Sequence, residues 1–437
     1  MSIPPARSMT LDILRYCLDQ HQDIQAAVNR VLQKAAPGPD QGLATELAYG
    51  YLRYKGRIDF LLGQLLSKPA QTSPIIKRIL GVAIYELLFL RRIPEYATLN
   101  WAVNLVKQCT SQTMGKVANG VLRNVLRLGQ TVHYPDYYKA KAVDYPTYLA
   151  AWYACPLWLV QLWLQDYGKE STQAFLQSTL QTPPTGVRIN NTHLEAAKLH
   201  DKLRSLATRS WEWGMALKEW PEYLHQAVAQ GHLTRQSLAA QEIMLELKAA
   251  DWPSPVYDAC AGRGGKTFFL AEMGKEVWAS DTNTFRLQQC RQESKRLGLP
   301  VPLFQASGIK SYPVHKEPRT ILLDVPCSGL GVLSRRPDIK WKRTLADCEQ
   351  LVALQRNILD QAAQELAPGG LLVYLTCTLT RQENELQIER FIQEHPEFSC
   401  IRQTQSSPDT ALHEYFYGAV LHHTGRPKQN QNCSAEQ

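Results

Sequence analysis

Two cysteines and several acids in this sequence stand where apolar runs end, and those positions suggest a chemistry. The stretch Thr320–Trp341 reads TILLDVPCSGLGVLSRRPDIKW. It opens as an apolar run ending at Asp324, the pattern of a buried parallel strand with a carboxylate at its tip. Pro326, Gly329 and Gly331 cannot continue a strand, so Asp324 and Cys327 are presented together at its carboxyl end. A second thiol, Cys377, closes the run LLVYLTC. Two thiols at neighbouring strand tips suit the activation of a pyrimidine. A thiolate adds to carbon-6 of cytosine, carbon-5 then attacks an electrophilic methyl group, and loss of the carbon-5 proton lets the thiolate leave. The thiol needs activation by its surroundings, and an acid such as Asp324 could hold the cytosine edge. Taken alone, Asp-x-Pro-Cys reads equally well as a strand end with a buried thiol.

The elements that must place these groups begin at Pro255, where the pattern turns to alternating strands and helices, the mark of a parallel sheet. A short first strand ends at Asp258. The glycine-rich turn CAGRGGKT, Cys260–Thr267, follows and opens a helix. Val277–Asp281 is the second strand, Val301–Gln305 the third, Ile321–Asp324 the fourth and Leu371–Cys377 the fifth. Helices are expected over Thr284–Gly298 and Leu345–Leu366, and last strands near Phe398–Arg402 and Tyr415–His422. Asp258, Cys260, Asp281, Asp324, Cys327 and Cys377 therefore share one edge of the sheet, where open α/β folds bind ligands. The glycine-rich turn lets backbone approach a ligand, and Asp281 suits a ribose hydroxyl pair, so a nucleoside-containing cofactor is expected there. A rival reading is a phosphate-binding loop, G-x-x-x-x-G-K-T, from which the turn departs by Cys260 at the first position. That reading gives Asp281, Cys327 and Cys377 no task.

At 437 residues, 44% hydrophobic and 20% charged, the chain is globular and long enough for two or three domains. Its ten cysteines include no C-x-x-C pair, which argues against a disulfide framework or a metal site. The opening MSIPPARSMTLDIL lacks the apolar core of a signal peptide, and the longest apolar run, Ile79–Leu90, is broken by Glu86. A cytoplasmic protein with no membrane partner is expected. Residues 1–140 hold 17 Lys and Arg against 9 Asp and Glu, the whole of the net charge of +8, while the rest holds 31 of each. A polyanion-binding module joined to a neutral one is the natural reading.

That first module is helical in pattern from Ser8 to about Arg127. Expected segments include Ala44–Arg53, Ile58–Leu66, Ile75–Leu90, Thr98–Cys109 and Lys116–Leu128, with prolines between them. Basic residues such as Arg53, Lys55 and Arg57 read on spacing alone as a solvated face. Trp152, Trp158 and Trp163 have helix-compatible spacing and read as core, and Gly186–Leu203 reads as a strand, a turn and a helix.

The phrases AYGYLRYKGRIDFLL, ILGVAIYELLFLRRIPEYATLNWAVNLVK and KVANGVLRNVLR resemble the NusB-type RNA-binding domain. LDVPCSGLGVLSRRPDIKW and LLVYLTCTLTRQENELQIERF resemble the fourth and sixth motifs of RNA cytosine-5 methyltransferases. Together the chain resembles the bacterial 16S ribosomal RNA cytosine-5 methyltransferase family often called Sun or Fmu. The resemblance implies an all-α NusB-like domain followed by an α/β Rossmann-like methyltransferase domain that uses S-adenosylmethionine. It assigns Cys377 as nucleophile, Cys327 as the group assisting enzyme release, and Asp324 as a contact shared by cofactor and base. As cofactor contacts it implies Cys260, Ala261, Gly262, Arg263, Gly264, Gly265, Lys266, Asp281 and Ser307.

The sequence departs from the family at three places. Gly262 and Arg263 replace the Ala-Pro of C-A-A-P-G-G-K-T, Ser307 replaces an acid after the third strand, and Gln236-Ser237 replaces Gln-Asp. The expected layout is a NusB-like domain at 1–135, a connecting and RNA-recognition region at 136–245, the methyltransferase domain at 246–425 and a disordered tail at 426–437. The expected activity is methylation of carbon-5 of a cytosine in 16S rRNA through a covalent cysteine adduct. Transfer RNA is the alternative substrate, and a degenerate RNA-binding assembly factor the alternative class. The expected partner is RNA rather than DNA, and the protein is expected to be a monomer.

Overall fold

The computed structural model describes residues 4–314 and 316–425; the expected tail at 426–437 lies outside them. The chain divides into two compact units. The first runs through Thr182 and also takes in Val332–Arg343; the second holds Pro183–Gly331 and the chain from Thr344 onward.

The first unit is built of helices, among them Pro5–Leu14, Ile24–Leu32, Pro39–Leu65, Pro74–Phe89, Glu95–Cys109, Gln112–Leu128, Tyr145–Trp152 and Leu157–Thr179. Proline opens several of them, where its missing N–H costs nothing. Side chains cap others: Asp23 accepts the Ala26 amide at 3.0 Å and Ser111 that of Met114 at 3.2 Å. Their apolar stripes meet in one core that includes Leu47, Leu52, Ile79, Leu80, Ile84, Ala102 and Val106. Glu86, the charge that breaks the apolar run, is buried. It accepts from Arg7 at 3.0 Å and Trp101 at 3.2 Å, and from the Thr98 hydroxyl. Among the described residues no helix is long and apolar enough to cross a membrane.

Two readings need correction here. The expected helices Ala44–Arg53 and Ile58–Leu66 are one helix, Pro39–Leu65. Gly56 costs a helix only about 1 kcal/mol, and the residues beside it are held by packing. Tyr54 stacks on Phe89 at 4.1 Å, and the Arg57 guanidinium hydrogen-bonds to the Trp152 carbonyl oxygen and covers the Trp152 ring at 4.0 Å. Arg57 is thus buried rather than part of a solvated face. Trp163, read as core, is fully buried.

The segment Val332–Arg343 belongs to this helical unit although its sequence continues the thiol-bearing stretch. Its Trp341 Nε1 donates to the Leu52 carbonyl at 2.6 Å, its buried Lys340 to that of Arg53 at 3.0 Å, and Lys342 to that of Gln22 at 2.9 Å. In return Arg53 donates to the Ser334 carbonyl at 3.0 Å, and Arg336 pairs with Asp23.

The second unit holds two sheets. The smaller consists of β1 (Thr185–Ile189), β2 (Ala207–Ser210), β3 (Gly214–Leu217) and β4 (Leu233–Arg235) in the order β2-β3-β1-β4, with antiparallel pairings. The larger contains β5 (Val256–Asp258), β6 (Val277–Asp281), β7 (Leu303–Gln305), β8 (Thr320–Asp324), β9 (Leu371–Thr376), β10 (Phe398–Gln405) and β11 (Tyr417–His423). Its order is β10-β11-β9-β8-β5-β6-β7. The strands β5 to β9 are mutually parallel where paired, and β11 returns antiparallel to β9 and β10. The chain leaves β5 first toward β6 and β7, then crosses back to β8 and β9. The switch point lies between β5 and β8, where such folds open a crevice at the carboxyl ends. The core under these strands includes Tyr257, Ile321, Leu323, Leu372 and Tyr374, covered by helix Leu345–Glu365. That helix opens with a reciprocal Thr344–Asp347 capping box.

Candidate active site

Five strand tips deliver the site. The parallel register that pairs Asp258 with Leu322 and with Ala279 also pairs Asp324 with Leu375, so the ends of β5, β6, β8 and β9 lie side by side.

From β5, Asp258 turns inward and is wholly buried. It accepts the Thr267 hydroxyl at 2.7 Å and the Cys260 amide at 3.3 Å, which pins the turn to the helix Gly265–Glu272. Burial, with Asp324 nearby, pushes this carboxyl up to about 7. Gly264 caps that helix with φ +86°, and a Cβ there would lie 2.3 Å from Phe268 and 2.7 Å from the Cys290 sulfur, so only glycine fits. From β6, Asp281 accepts the Gly262 amide at 2.9 Å and the Asn283 amide at 2.8 Å. Cys260 is half-buried, and burial raises its thiol well above the ordinary range. Arg263 is exposed at the tip of the turn. Ser307 stands two residues past the end of β7, where its carbonyl accepts from the Lys310 amide at 3.1 Å.

Lys266 reaches from the first turn of the helix to Asp324 on β8, Nζ to Oδ2 at 2.6 Å. Burial opposes its charge, but Asp324 and then Cys377 favour it more, and its pKa stays above the ordinary lysine value. Asp324 remains 33% exposed, so one carboxylate oxygen is held while the group still faces the crevice.

The two thiols meet beyond β8 and β9. Cys327 Sγ and Cys377 Sγ are 3.3 Å apart, and the Cys377 amide points at the Cys327 sulfur at 3.4 Å. The Cys377 hydrogen bond, then burial, raises the Cys327 thiol well above its usual range. Gly331 locks the arrangement: its amide donates to the Cys377 carbonyl at 3.0 Å, and its own carbonyl accepts from Tyr415 at 2.8 Å. A Cβ on Gly331 would lie 2.3 Å from the Tyr415 carbonyl oxygen.

Family comparison rests on the same segments. The model of the 16S rRNA methyltransferase RsmB/F family matches residues 242–430, that of the NusB family residues 4–127, and that of the RsmF/B-like ferredoxin-like domain residues 155–216. The chain is 34% identical over 414 residues to the probable ribosomal RNA small subunit methyltransferase B of Synechocystis sp., covering 90% of each. It is 30% identical over 434 residues to ribosomal RNA small subunit methyltransferase B of Vibrio cholerae, covering 95% of this chain and 96% of that one. The chain belongs to the 16S rRNA methyltransferase RsmB/F family. Its fold recurs in NSun6 from Pyrococcus horikoshii, solved with SFG, at TM-score 0.54 and 20% identity over 62% of this chain and 98% of that one. A methyltransferase homolog protein from Pyrococcus horikoshii gives the same TM-score at 23% identity, over 62% of this chain and 97% of that one.

Within this RsmB/F-family chain the structure also shows residues that sequence reasoning missed. Arg188 on β1 is buried and forms a two-armed pair with Glu272, at 2.6 and 3.2 Å. Its third arm donates to the Gly265 carbonyl at 2.9 Å and to Gln236, which itself donates to Gly265 at 3.0 Å. An arginine inside the apolar run GVRI was the available signal. Ser237 caps the helix Leu238–Glu246 and donates to Glu414 at 2.7 Å.

Proposed function

We propose that this chain methylates carbon-5 of a cytosine in 16S ribosomal RNA, with S-adenosylmethionine as donor and a covalent adduct on Cys377. The observation that carries the reading is the pair of thiols 3.3 Å apart, beside an acid that Lys266 holds in place.

The donor set fits the cofactor. Asp281 offers carboxylate oxygens to ribose hydroxyls, and Gly262 opens on free space where a nucleoside can approach the backbone. The SFG bound in the NSun6 structure, an analogue of S-adenosylmethionine, agrees with this choice. When bound, the cofactor supplies an electrophilic methyl group. Ala261, Gly262, Gly264 and Gly265 would shape the turn against it, Asp281 would orient it, and Cys260, Arg263 and Ser307 would border it.

The protein's own groups do the rest. Cys377 as thiolate forms a carbon–sulfur bond to carbon-6 of cytosine, and the displaced electron pair makes carbon-5 nucleophilic. Lys266 fixes one oxygen of Asp324. The other Asp324 oxygen is left to accept from the exocyclic amino group of the base. After carbon-5 has taken the methyl group, transfer of its proton to water returns electrons to the ring and expels the Cys377 thiolate. Cys327, protonated because its pKa is raised, lies against the departing sulfur and assists release. The basic helical unit supplies RNA affinity.

The test maps 5-methylcytosine in small-subunit ribosomal RNA from cells lacking the gene and from cells complemented with wild type or Cys377→Ala. One methylcytosine that returns with wild type and stays absent with Cys377→Ala supports the reading. Its return with Cys377→Ala removes Cys377 from the nucleophile role.

A further inference from the structure

One buried carboxylate joins the two thiol-bearing turns without facing the crevice. Glu383 is wholly buried, and hydrogen bonds rather than a cation satisfy it among the described residues. Its Oε2 accepts the Ser328 amide at 2.8 Å and Gln355 Nε2 at 2.9 Å. Its Oε1 accepts the hydroxyls of Ser328 at 2.5 Å and Thr380 at 3.0 Å, with the Thr378 hydroxyl 3.4 Å away. Ser328 directly follows Cys327, Thr378 directly follows Cys377, and the two hydroxyls hydrogen-bond to each other. Gln355 also donates to the Pro326 carbonyl at 2.9 Å, on the other side of Cys327. Tyr374 on β9 closes the ring, donating to the Glu383 carbonyl at 2.7 Å.

A carboxylate stripped of water is costly unless its lone pairs are used, so the Ser328 amide and hydroxyl, Gln355 and Thr380 converging on Glu383 fix it and are fixed by it, and Thr378 is tied in through the Ser328 hydroxyl. The backbone on both sides of Cys327, and the residue after Cys377, thereby refer to one group. We propose that Glu383 is the positioning residue that sets the separation of the Cys327 and Cys377 thiols, and with it the balance between forming and releasing the RNA adduct. The second half of this statement rests on the function proposed above; the first half does not.

Phenylarsine oxide tests the separation without RNA, since it bonds two neighbouring thiols to one arsenic and releases water. Full-length wild type should bind it through Cys327 and Cys377, and Cys327→Ser or Cys377→Ser should lose that binding. Glu383→Ala should weaken it by about tenfold or more, while a one-thiol reagent still reacts with both cysteines and cofactor affinity stays unchanged. The same variant should lower kcat for methylation without raising the KM for RNA, and should lengthen the life of the covalent adduct. Glu383→Gln should recover most of each property. Its amide oxygen can still accept from Ser328 and Gln355, and its NH2 faces hydroxyls free to turn and accept. Wild-type arsenical affinity and adduct lifetime in Glu383→Ala would overturn the proposal. Should Glu383→Ala not fold, Thr378→Val carries the test by removing the second turn's hydroxyl, and wild-type arsenical affinity there would overturn it equally. Arsenical binding that depends on Glu383 in a protein that methylates no RNA would uphold the positioning and refute the proposed function.

Discussion

Cys327 Sγ lies 3.3 Å from Cys377 Sγ and also accepts the Cys377 amide at 3.4 Å, so the two sulfurs face each other just beyond two adjacent strand tips. If Cys377 carries the adduct, removing Cys327 takes away the group lying against the departing sulfur. Cys327→Ala should therefore trap an enzyme–RNA adduct that survives denaturing electrophoresis, and the double variant with Cys377→Ala should show none. Absence of adduct from Cys327→Ala, with cofactor and RNA bound normally, rejects the release role.

Asp281 gives its oxygens to the Gly262 and Asn283 amides, so it shapes the turn before any ligand arrives. Losing one charge-assisted hydrogen bond costs about 1.5–3 kcal/mol, or roughly tenfold to a hundredfold in affinity. Asp281→Ala should weaken S-adenosylmethionine binding by that much in calorimetric titration, and Asp281→Asn by less because an acceptor for Gly262 remains. Equal affinity in all three proteins would place the cofactor elsewhere.

Folding raises the Asp258 carboxyl from an ordinary 3.8 to about 7, chiefly by burial. Between those values the folded state binds a proton that the unfolded chain does not. The stability this contributes is complete below the ordinary value and is lost as pH rises through about 7. Asp258→Asn keeps the shape but not the titration. Urea unfolding at about pH 5 and about pH 8 should show a drop for wild type that is smaller in Asp258→Asn. The same drop in both proteins would exclude Asp258 as its source.

Arg188 and Glu272 are both buried, and each is the other's counter-charge. Breaking a buried pair from one side typically costs about 3–5 kcal/mol, because the remaining charge has no partner. Arg188→Met should destabilise the protein by that order in urea unfolding. Arg188→Met with Glu272→Met should recover much of the loss. A double variant no more stable than the single one would show that the Gly265 and Gln236 contacts of Arg188 matter more.

The parts of the site legible in the sequence were those written in local pattern. Apolar runs ending in Asp258, Asp281 and Asp324 marked strand tips within a residue or two, and glycines marked the turns between them. Helices such as Thr284–Leu297 and Leu345–Glu365 fell within one residue of expectation for the same reason. What could not be read was set by partners far along the chain. Glu383 answers Ser328 across 55 residues and Arg188 answers Glu272 across 84, and no periodicity encodes such distances. The break expected near Gly56 failed likewise, because Trp152 supports that turn of helix from 95 residues away. Lys266, which the family resemblance grouped with cofactor contacts, takes its partner, Asp324, from the tip of β8, 58 residues along the chain.

The allocation of Val332–Arg343 to the helical unit bears on how the protein is made. A ribosome completes most of that unit by Thr182, yet its last piece emerges only after β5 to β8 have been synthesised. Domains tend to fold as units during synthesis, amino-terminal first. Here the Leu52 and Arg53 carbonyls of the amino-terminal one lack their Trp341 and Lys340 donors until much of its successor's sheet has been synthesised. The two units are therefore interleaved in birth order, and a gene cut after Thr182 would part Val332–Arg343 from the helices it packs with.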